Sequence, residues 1–250
     1  MNVLIIRGEI LRTGGISSRR TVDGPPSDTE LCFDSVRKYI MTPMLECYGQ
    51  VHVFVDAFTN MANSPWFDTW FTRVVQILKL KNVTVFSRCR LSVLKSQTFG
   101  VLDSLNWVHQ QKYTNLQSVT LSRCNIAVKQ TLFAKSQAQS IIGLNYFDGM
   151  GGSTSKYGRV LKPIGSWQGY SRINDVFLVI GYEALAHFQK WLEETENEVY
   201  NEPGMHIMSD PILGTHGVNL EIMVDENYCP NTQWCQNPYY RMVDRAEAVC

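Results

Sequence analysis

The chain has 250 residues, of which 44% are hydrophobic and 18% are charged, a composition typical of a large α/β domain and not of a disordered chain. Its 23 basic and 23 acidic residues give a formal net charge of zero, so no long-range field gathers nucleic acid or acidic membrane. Seven scattered cysteines without a CxxC pair argue against structural zinc and favour free thiols in a reducing, cytoplasmic compartment. No apolar run is long enough to span a membrane.

The first half of the chain alternates strand-like and helix-like segments. Asn2–Ile6 is an apolar, β-branched run that predicts a buried strand. Asp28 is expected to cap a helix that ends near Met44, and Ser64 with Pro65 opens a second helix. Further strands are predicted at 51–58, 83–86 and 118–121, a loop at 7–26 and a third helix at 92–111.

The second half is more mixed. Apolar runs predict strands at 140–144, 176–180 and 219–224, a short helical segment at 127–134 and an amphipathic helix at 182–194. The Gly-, Ser- and Lys-rich stretch 148–167 predicts a loop. The early β-α-β-α-β-α-β order predicts a mostly parallel central sheet flanked by helices, followed by a smaller mixed C-terminal portion. We expect one domain over residues 1–250, with the charged end typical of a domain within a longer polypeptide.

Parallel sheets bind ligands beyond the carboxyl ends of their strands, so residues that follow the early strands are candidate contacts. Glycine allows a ligand to approach the backbone, and arginine forms forked hydrogen bonds to a diphosphate. A solvated turn with ordinary surface arginines explains the first of these segments equally well. The GxGxxG and P-loop motifs are absent, which excludes a standard dehydrogenase and a standard ATPase. The candidates are Arg7, Gly8, Arg12, Asp56, Ser87, Arg88, Arg123 and Asn125.

Further candidates lie in the second half. Asp175 precedes the apolar strand 176–180, where partial desolvation makes a carboxylate more basic and suits it to act as a general base. An ordinary Asn-Asp turn is the alternative. Trp167 and Tyr170 lie in the polar stretch before it and are candidates for stacking on a sugar. His216 is a candidate phosphate or metal contact, although a structural histidine is commoner.

Four segments distributed over residues 1–224 carry a resemblance to a known family. They are NVLIIRGEILR, SVRKYIMTPMLECYGQVHVFVDAF, FGVLDSLNWVHQQKYTNLQSVTLSRCNI and SRINDVFLVIGYEALAHFQKW. In their order they resemble small glycosyltransferases of the GT-A fold, including domains encoded by large algal viruses and by polysaccharide gene clusters. If the chain is viral, this resemblance implies the host cytoplasm as its location.

The resemblance implies transfer of a sugar from a UDP- or GDP-linked donor to a hydroxyl of a glycan acceptor, with inversion. Residues 1–126 would bind the nucleotide sugar, and residues 127–250 would face the acceptor. Asp175 would deprotonate the acceptor hydroxyl, and the acceptor would contact Trp167, Tyr170 and Arg172.

The family's fourth strand ends in an acidic motif such as DxD or RxD, which holds Mn²⁺ or Mg²⁺ on the donor diphosphate. The matching residues here are Arg123, Cys124 and Asn125, so an asparagine stands where an aspartate is expected. This departure leaves three options. Asn125 holds the ion weakly with help from His216, arginines replace the ion, or activity is lost.

Two alternatives stay open at the level of the sequence. An S-adenosylmethionine-dependent methyltransferase has a similar sheet, and Asp56 matches the acidic residue it needs after the second strand, but Arg7-Gly8-Glu9 fits its glycine-rich turn poorly. The other alternative is a glycosyltransferase fold that binds its ligand without turnover. The departure at Asn125 keeps this second alternative open.

Overall fold

The computed structural model describes residues 1–10, 12–13, 20–21, 27–59, 64–91, 97–145, 162–163, 173–197, 217–223 and 239–242. The chain divides into two compact units. Unit 1 comprises Met1–Val93, Arg123–Phe133 and Thr232–Cys250, and unit 2 comprises Leu94–Ser122 and Ala134–Asn231. The assignment of residues 1–126 to nucleotide-sugar binding and of residues 127–250 to the acceptor follows other bounds and stays a prediction.

The described elements follow one another in a largely alternating order. Five of the twelve strands in the described residues are only two or three residues long. In chain order the elements are β1 (Asn2–Glu9), β2 (Arg12–Thr13), β3 (Arg20–Thr21), α1 (Ser27–Val36), a π-helical turn (Arg37–Met41), α2 (Thr42–Tyr48), β4 (Val51–Thr59), α3 (Phe67–Gln76), β5 (Val83–Leu91), α4 (Gln97–His109), β6 (Ser118–Arg123), β7 (Ile126–Val128), β8 (Ser140–Asn145), β9 (Lys162–Pro163), β10 (Ile173–Gly181), α5 (Tyr182–Asn197), β11 (Asn219–Met223) and β12 (Tyr240–Met242).

Unit 1 contains three parallel strands in the order β5-β4-β1. The central strand β4 is buried along most of its length, as expected for a parallel strand that is covered on both faces. This packing explains its apolar, β-branched sequence. The strands predicted at 2–6, 51–58 and 83–86 are confirmed, and each continues beyond its predicted end.

The first long helical segment of unit 1 continues through Pro43 to Tyr48, beyond its predicted end at Met44. A proline leaves the carbonyl four residues earlier without its helical donor. That carbonyl belongs to Tyr39, and it accepts a hydrogen bond from the backbone N–H of Leu132 at 2.9 Å. The π-helical turn directly before Pro43 accommodates the ring. The helix ends where Gly49 adopts a φ of 75°.

The helix predicted at 127–134 is wrong. Residues Ile126–Val128 form strand β7, which pairs antiparallel with β12. The N–H of Val128 donates to the hydroxyl of Ser35, and the N–H of Lys129 donates to the carbonyl of Tyr239. These tertiary hydrogen bonds hold the segment in an extended conformation beside α1 and β12.

Unit 2 contains a mixed set of strands in the order β6-β10-β8-β11-β9. Strand β10 is antiparallel to both β6 and β8, whereas β11 is parallel to β8. The strands predicted at 118–121, 140–144, 176–180 and 219–224 and the helix at 182–194 are confirmed. The α/β class is therefore confirmed, with parallel strands early in the chain and mixed strands later. Among the described residues, no helix combines the length and apolar character needed to cross a bilayer.

Candidate functional site

Three charged side chains form a row across the carboxyl ends of the parallel strands of unit 1. Arg7 on β1 is in register with Asp56 on β4, and Asp56 is in register with Arg88 on β5. Residues in register on neighbouring parallel strands point to the same face of the sheet, so the three side chains share one face. Arg7 and Asp56 are 6% and 2% exposed, so two of the three charged residues in the row are buried.

Asp56 is held by two guanidinium groups. The Nε and Nη2 atoms of Arg88 donate to Oδ1 and Oδ2 of Asp56 at 2.9 and 2.7 Å. The Nη2 atom of Arg90 donates to the same two oxygens at 2.9 and 3.1 Å. Charge-assisted bonds in this forked geometry are stronger than neutral bonds and fix both partners in orientation. The carboxylate therefore positions both arginines, and we refer to Asp56, Arg88 and Arg90 as the Asp56 cluster.

The exposure of these side chains indicates what the cluster can do. The side chain of Asp56 is 1% exposed, whereas those of Arg88 and Arg90 are 28% and 32% exposed. A carboxylate removed from water is costly unless it is paired, and the two arginines satisfy that requirement. Together they carry one more formal charge than the carboxylate neutralises, and solvent reaches them. A guanidinium pair with a fixed orientation and partial exposure suits the binding of a phosphate or diphosphate.

Two neighbours on β5 have other environments. Cys89 lies between the two arginines of the cluster, and burial raises the pKa of its thiol to about 12. The thiol is therefore protonated at neutral pH and is a poor nucleophile. Ser87 is exposed and, as the residue next to Arg88 in a strand, it points to the opposite face of the sheet. The predicted pair Ser87–Arg88 is thus divided between two faces.

Gly8 and Cys124 meet at the carboxyl end of β1. The N–H of Cys124 donates to the carbonyl of Arg7 at 2.9 Å. Gly8 has a φ of 133°, and a Cβ atom added to it would lie 3.1 Å from the Sγ atom of Cys124. A positive φ of this size is rarely adopted by residues other than glycine. The turn 123–125 therefore packs directly on the strand end that carries Arg7.

Arg123 and Asn125 contact each other within this turn. The Nε atom of Arg123 donates to Oδ1 of Asn125 at 2.9 Å, and Asn125 is 8% exposed. This oxygen is the atom that a divalent cation would require from an asparagine. Within the described ranges, no group of three or more His, Cys, Asp or Glu side chains is arranged to hold a metal ion. The residues described around Asn125 therefore do not fit a divalent cation, and Mn²⁺ or Mg²⁺ binding stays a prediction.

The remaining candidates lie outside the described side chains. Trp167, Tyr170, Arg172 and His216 are outside the described residues altogether. The backbone of Arg12 lies in β2 and that of Asp175 lies in β10, but their side chains are not described. The roles predicted for these six residues stay predictions.

Arg90 is the residue of the cluster that the sequence analysis missed. A signal for it exists in the alternation of Arg88 and Arg90, because residues two apart in a strand point to the same face. The predicted strand ended at Phe86, where the apolar run stops, so Arg90 was assigned to no element. The strand continues to Leu91 because it pairs with β4 as far as Thr59, and Asp56 on that strand pairs with both arginines.

Comparisons with known proteins give similar structures but no similar sequences. No protein-family model matches the chain, and no curated protein sequence matches it. Among solved structures, a nucleoside-diphosphate-sugar pyrophosphorylase from Vibrio cholerae is similar over 91% of this chain and 95% of its own, with 10% identity and a TM-score of 0.49.

Two glycosyltransferases also have similar structures. The glycosyltransferase GlyE from Streptococcus pneumoniae is similar over 86% of this chain, with 12% identity and a TM-score of 0.42, and this chain spans 42% of its length. The galactosyltransferase LgtC, solved with donor and acceptor sugar analogues, is similar over 88% of this chain and 71% of its own, with 10% identity and a TM-score of 0.41. At these identities the similarity concerns the course of the backbone.

Proposed function

We propose that this chain is a glycosyltransferase that uses a nucleoside-diphosphate sugar, UDP- or GDP-linked, as its donor and a glycan hydroxyl as its acceptor. The observation that carries the proposal is the Asp56 cluster with Arg7 at the carboxyl ends of three parallel strands. This is the edge at which open α/β sheets bind their ligands. The four segments that resemble small GT-A glycosyltransferases support the same function.

In this proposal the chain's own residues bind and orient the diphosphate. Arg88 and Arg90 donate to its oxygens from the positions fixed by Asp56, and Gly8 allows the ligand to approach the backbone. Arg123 stabilises the charge that develops on the leaving nucleoside diphosphate. Asp175, by the resemblance of its NDVF segment, accepts the proton of the acceptor hydroxyl.

The geometry of Asp56 favours this function over a methyltransferase. A methyltransferase needs the acidic residue after the second strand to accept hydrogen bonds from ribose hydroxyls. Both carboxylate oxygens of Asp56 instead accept from Arg88 and Arg90. The carboxylate here serves to position cations, which suits an anionic ligand.

Calorimetric titration with UDP, GDP, their sugar conjugates and S-adenosylmethionine tests the donor class. We expect a nucleoside diphosphate to bind and S-adenosylmethionine not to bind. Arg88→Ala and Arg90→Ala should each weaken nucleotide binding at least about tenfold, because each removes a charge-assisted contact. Arg73→Ala is the matched control, since Arg73 is an exposed arginine of unit 1 that pairs with Glu30 on the surface. Equal binding by all three variants contradicts the proposed site.

A transfer assay with a panel of sugar nucleotides and glycan acceptors tests the reaction. Asp175→Ala should abolish transfer and leave nucleotide binding unchanged, because a base acts on the acceptor and not on the donor. Full transfer by this variant contradicts the role of Asp175. Nucleotide binding by the wild-type chain without any hydrolysis or transfer would instead identify a binding module.

A further inference from the structure

The turn after β6 places a guanidinium where the resemblance predicts a metal ion. Asn125 has a single side-chain acceptor atom, Oδ1, and that atom accepts a hydrogen bond from Nε of Arg123 at 2.9 Å. Asn125 is 8% exposed, and its contact with Arg123 is partly buried. Because the amide oxygen is bonded to a cationic donor, it is already engaged by a positive group.

A divalent ion on the same oxygen would have an unfavourable environment. With ordinary metal–oxygen distances it would lie within about 5 Å of the Arg123 guanidinium, and like charges at that separation repel each other in a partly buried site. A neutral amide is also a weaker ligand than a carboxylate. The described turn thus offers a cation no negative charge and places a positive group beside its amide oxygen.

The buried carboxylate on β4 does not compensate for this. Both oxygens of Asp56 accept hydrogen bonds from the guanidinium groups of Arg88 and Arg90. A metal ion would have to displace an arginine from a forked, buried pair in order to reach them. At both Asp56 and Asn125, an arginine is bonded to the side-chain oxygen that a metal ion would need.

We infer that arginine side chains, with Arg123 in the position of the cation, neutralise the donor diphosphate, so that nucleotide binding needs neither Mn²⁺ nor Mg²⁺. This inference rests on the proposed function, since it concerns the same diphosphate. The contact with Asn125 orients the guanidinium of Arg123, and its delocalised positive charge is what would act beside a phosphate oxygen in place of a cation.

The first test is calorimetric titration of the full chain with UDP and GDP, once with EDTA and once with Mn²⁺ or Mg²⁺ in excess. We expect the same affinity, within about threefold, in all of these buffers. Binding that requires the metal overturns the inference and leaves the proposed function standing. The absence of nucleotide binding in every buffer contradicts the proposed function and this inference together.

The second test distinguishes the contribution of the Arg123 guanidinium to nucleotide binding from that of the Asn125 amide. Arg123→Ala should weaken nucleotide binding at least about tenfold in EDTA, and added Mn²⁺ should not restore it. Asn125→Ala should retain most of the affinity because the charge remains, whereas Asn125→Asp should weaken binding because the new carboxylate neutralises that charge. Arg73→Ala serves again as the control, and thermal unfolding checks that each variant is folded.

The opposite pattern identifies the amide as a metal ligand. If Asn125→Ala abolishes binding in Mn²⁺, or if Arg123→Ala leaves binding unchanged, the guanidinium does not replace the ion. Either result overturns the inference even when the wild-type chain binds UDP or GDP tightly.

Discussion

The strand ends of the two units are built in different ways. In unit 1 the parallel strands carry charged side chains near their carboxyl ends, with Arg7, Asp56 and Arg88 in register across the sheet. In unit 2 strand β10 ends in Gly181, whose surroundings are main chain. A Cβ atom added to Gly181 would lie 1.9 Å from the carbonyl oxygen of Gln137.

Main-chain hydrogen bonds close this second strand end. The N–H groups of Glu183 and Ala184 donate to the carbonyl of Ala138 at 2.9 and 3.1 Å, and the N–H of Tyr182 donates to the carbonyl of Gln117. The first amides of α5 are thereby satisfied within the protein. A strand end can thus be closed by tightly packed main-chain atoms, which we call a packing joint, or it can form a partly exposed charged surface. Of the two, the charged surface is suited to bind a ligand.

The largest effect is expected from Gly181→Ala. The added methyl group meets a backbone carbonyl that cannot move without breaking the hydrogen bonds around Ala138, so the free energy of unfolding should fall by more than about 4 kcal/mol. Urea unfolding monitored by circular dichroism measures this loss. Failure of the variant to accumulate as a folded protein is the extreme form of the same result.

Gly217→Ala is the matched control in unit 2. Gly217 has a φ of 73° and no atom within 4 Å of an added Cβ, so only the backbone strain of about 1 kcal/mol is expected. Equal losses in the two variants would mean that Gly181 is not a packing joint and would remove the contrast between the two strand ends.

The second largest effect is expected from Asp56→Asn. The substitution keeps the shape of the side chain but removes the charge that pairs with Arg88 and Arg90, so we expect a loss of about 3 kcal/mol. Asp34→Asn is the control, because Asp34 pairs with Arg37 at an exposed position and should cost less than about 0.5 kcal/mol. A loss for Asp56→Asn as small as the control's would show that the cluster does not depend on its carboxylate.

The same cluster explains what the sequence could and could not predict about the site. Arg7, Asp56 and Arg88 were found because they follow apolar runs that read clearly as buried strands. However, each apolar run ends at or just before its first charged residue, whereas the strand continues past that residue. Register between strands lets charges of opposite sign pair across the sheet, and no property of one strand alone reveals its partner. Arg90 was missed for this reason.

One helical prediction was wrong and another ended four residues too early, in both cases where distant main-chain atoms decide the outcome. Pro43 is tolerated inside a continuous helical segment because Leu132, far along the chain, donates to the carbonyl that the proline leaves without a donor. Residues 126–128 form a strand because β12 supplies the partner. Both outcomes depend on tertiary contacts, which override local propensity and are not visible in a short window of sequence.

A smaller effect is expected from Gly8→Ala in unit 1. The positive φ strains any other residue, and the new methyl group would meet the Sγ atom of Cys124 at 3.1 Å, which a side chain can relieve by a small shift. We expect a loss of about 1 to 2 kcal/mol in the free energy of unfolding.

A double-mutant cycle with Cys124→Ala separates the two contributions. Removing the sulfur should recover the steric part of the loss and leave the part due to φ. If Gly8→Ala is as harmful as Gly181→Ala, the end of β1 is a closed joint too, and the contrast between the two units fails.

The smallest effect lies at the amino end of β4, opposite the Asp56 cluster on the same strand. Burial lowers the pKa of His52, and the Met1 ammonium group lowers it further. The unfolded chain therefore binds a proton more readily than the folded chain. The contribution of His52 to stability is complete above the ordinary histidine pKa near 6.5, and it is lost as the pH falls through the pKa of the folded state.

In His52→Gln, the decline in the free energy of unfolding between pH 7 and 5.5 should be shallower by at most about 0.5 kcal/mol, because solvent reaches the ring and screens the charges. Urea unfolding at pH 8, where histidine is neutral in both states, gives the packing contribution to subtract. An identical pH dependence in both proteins would show that this end of the strand carries no charge-linked stability, and that the ionic character of β4 is confined to its carboxyl end.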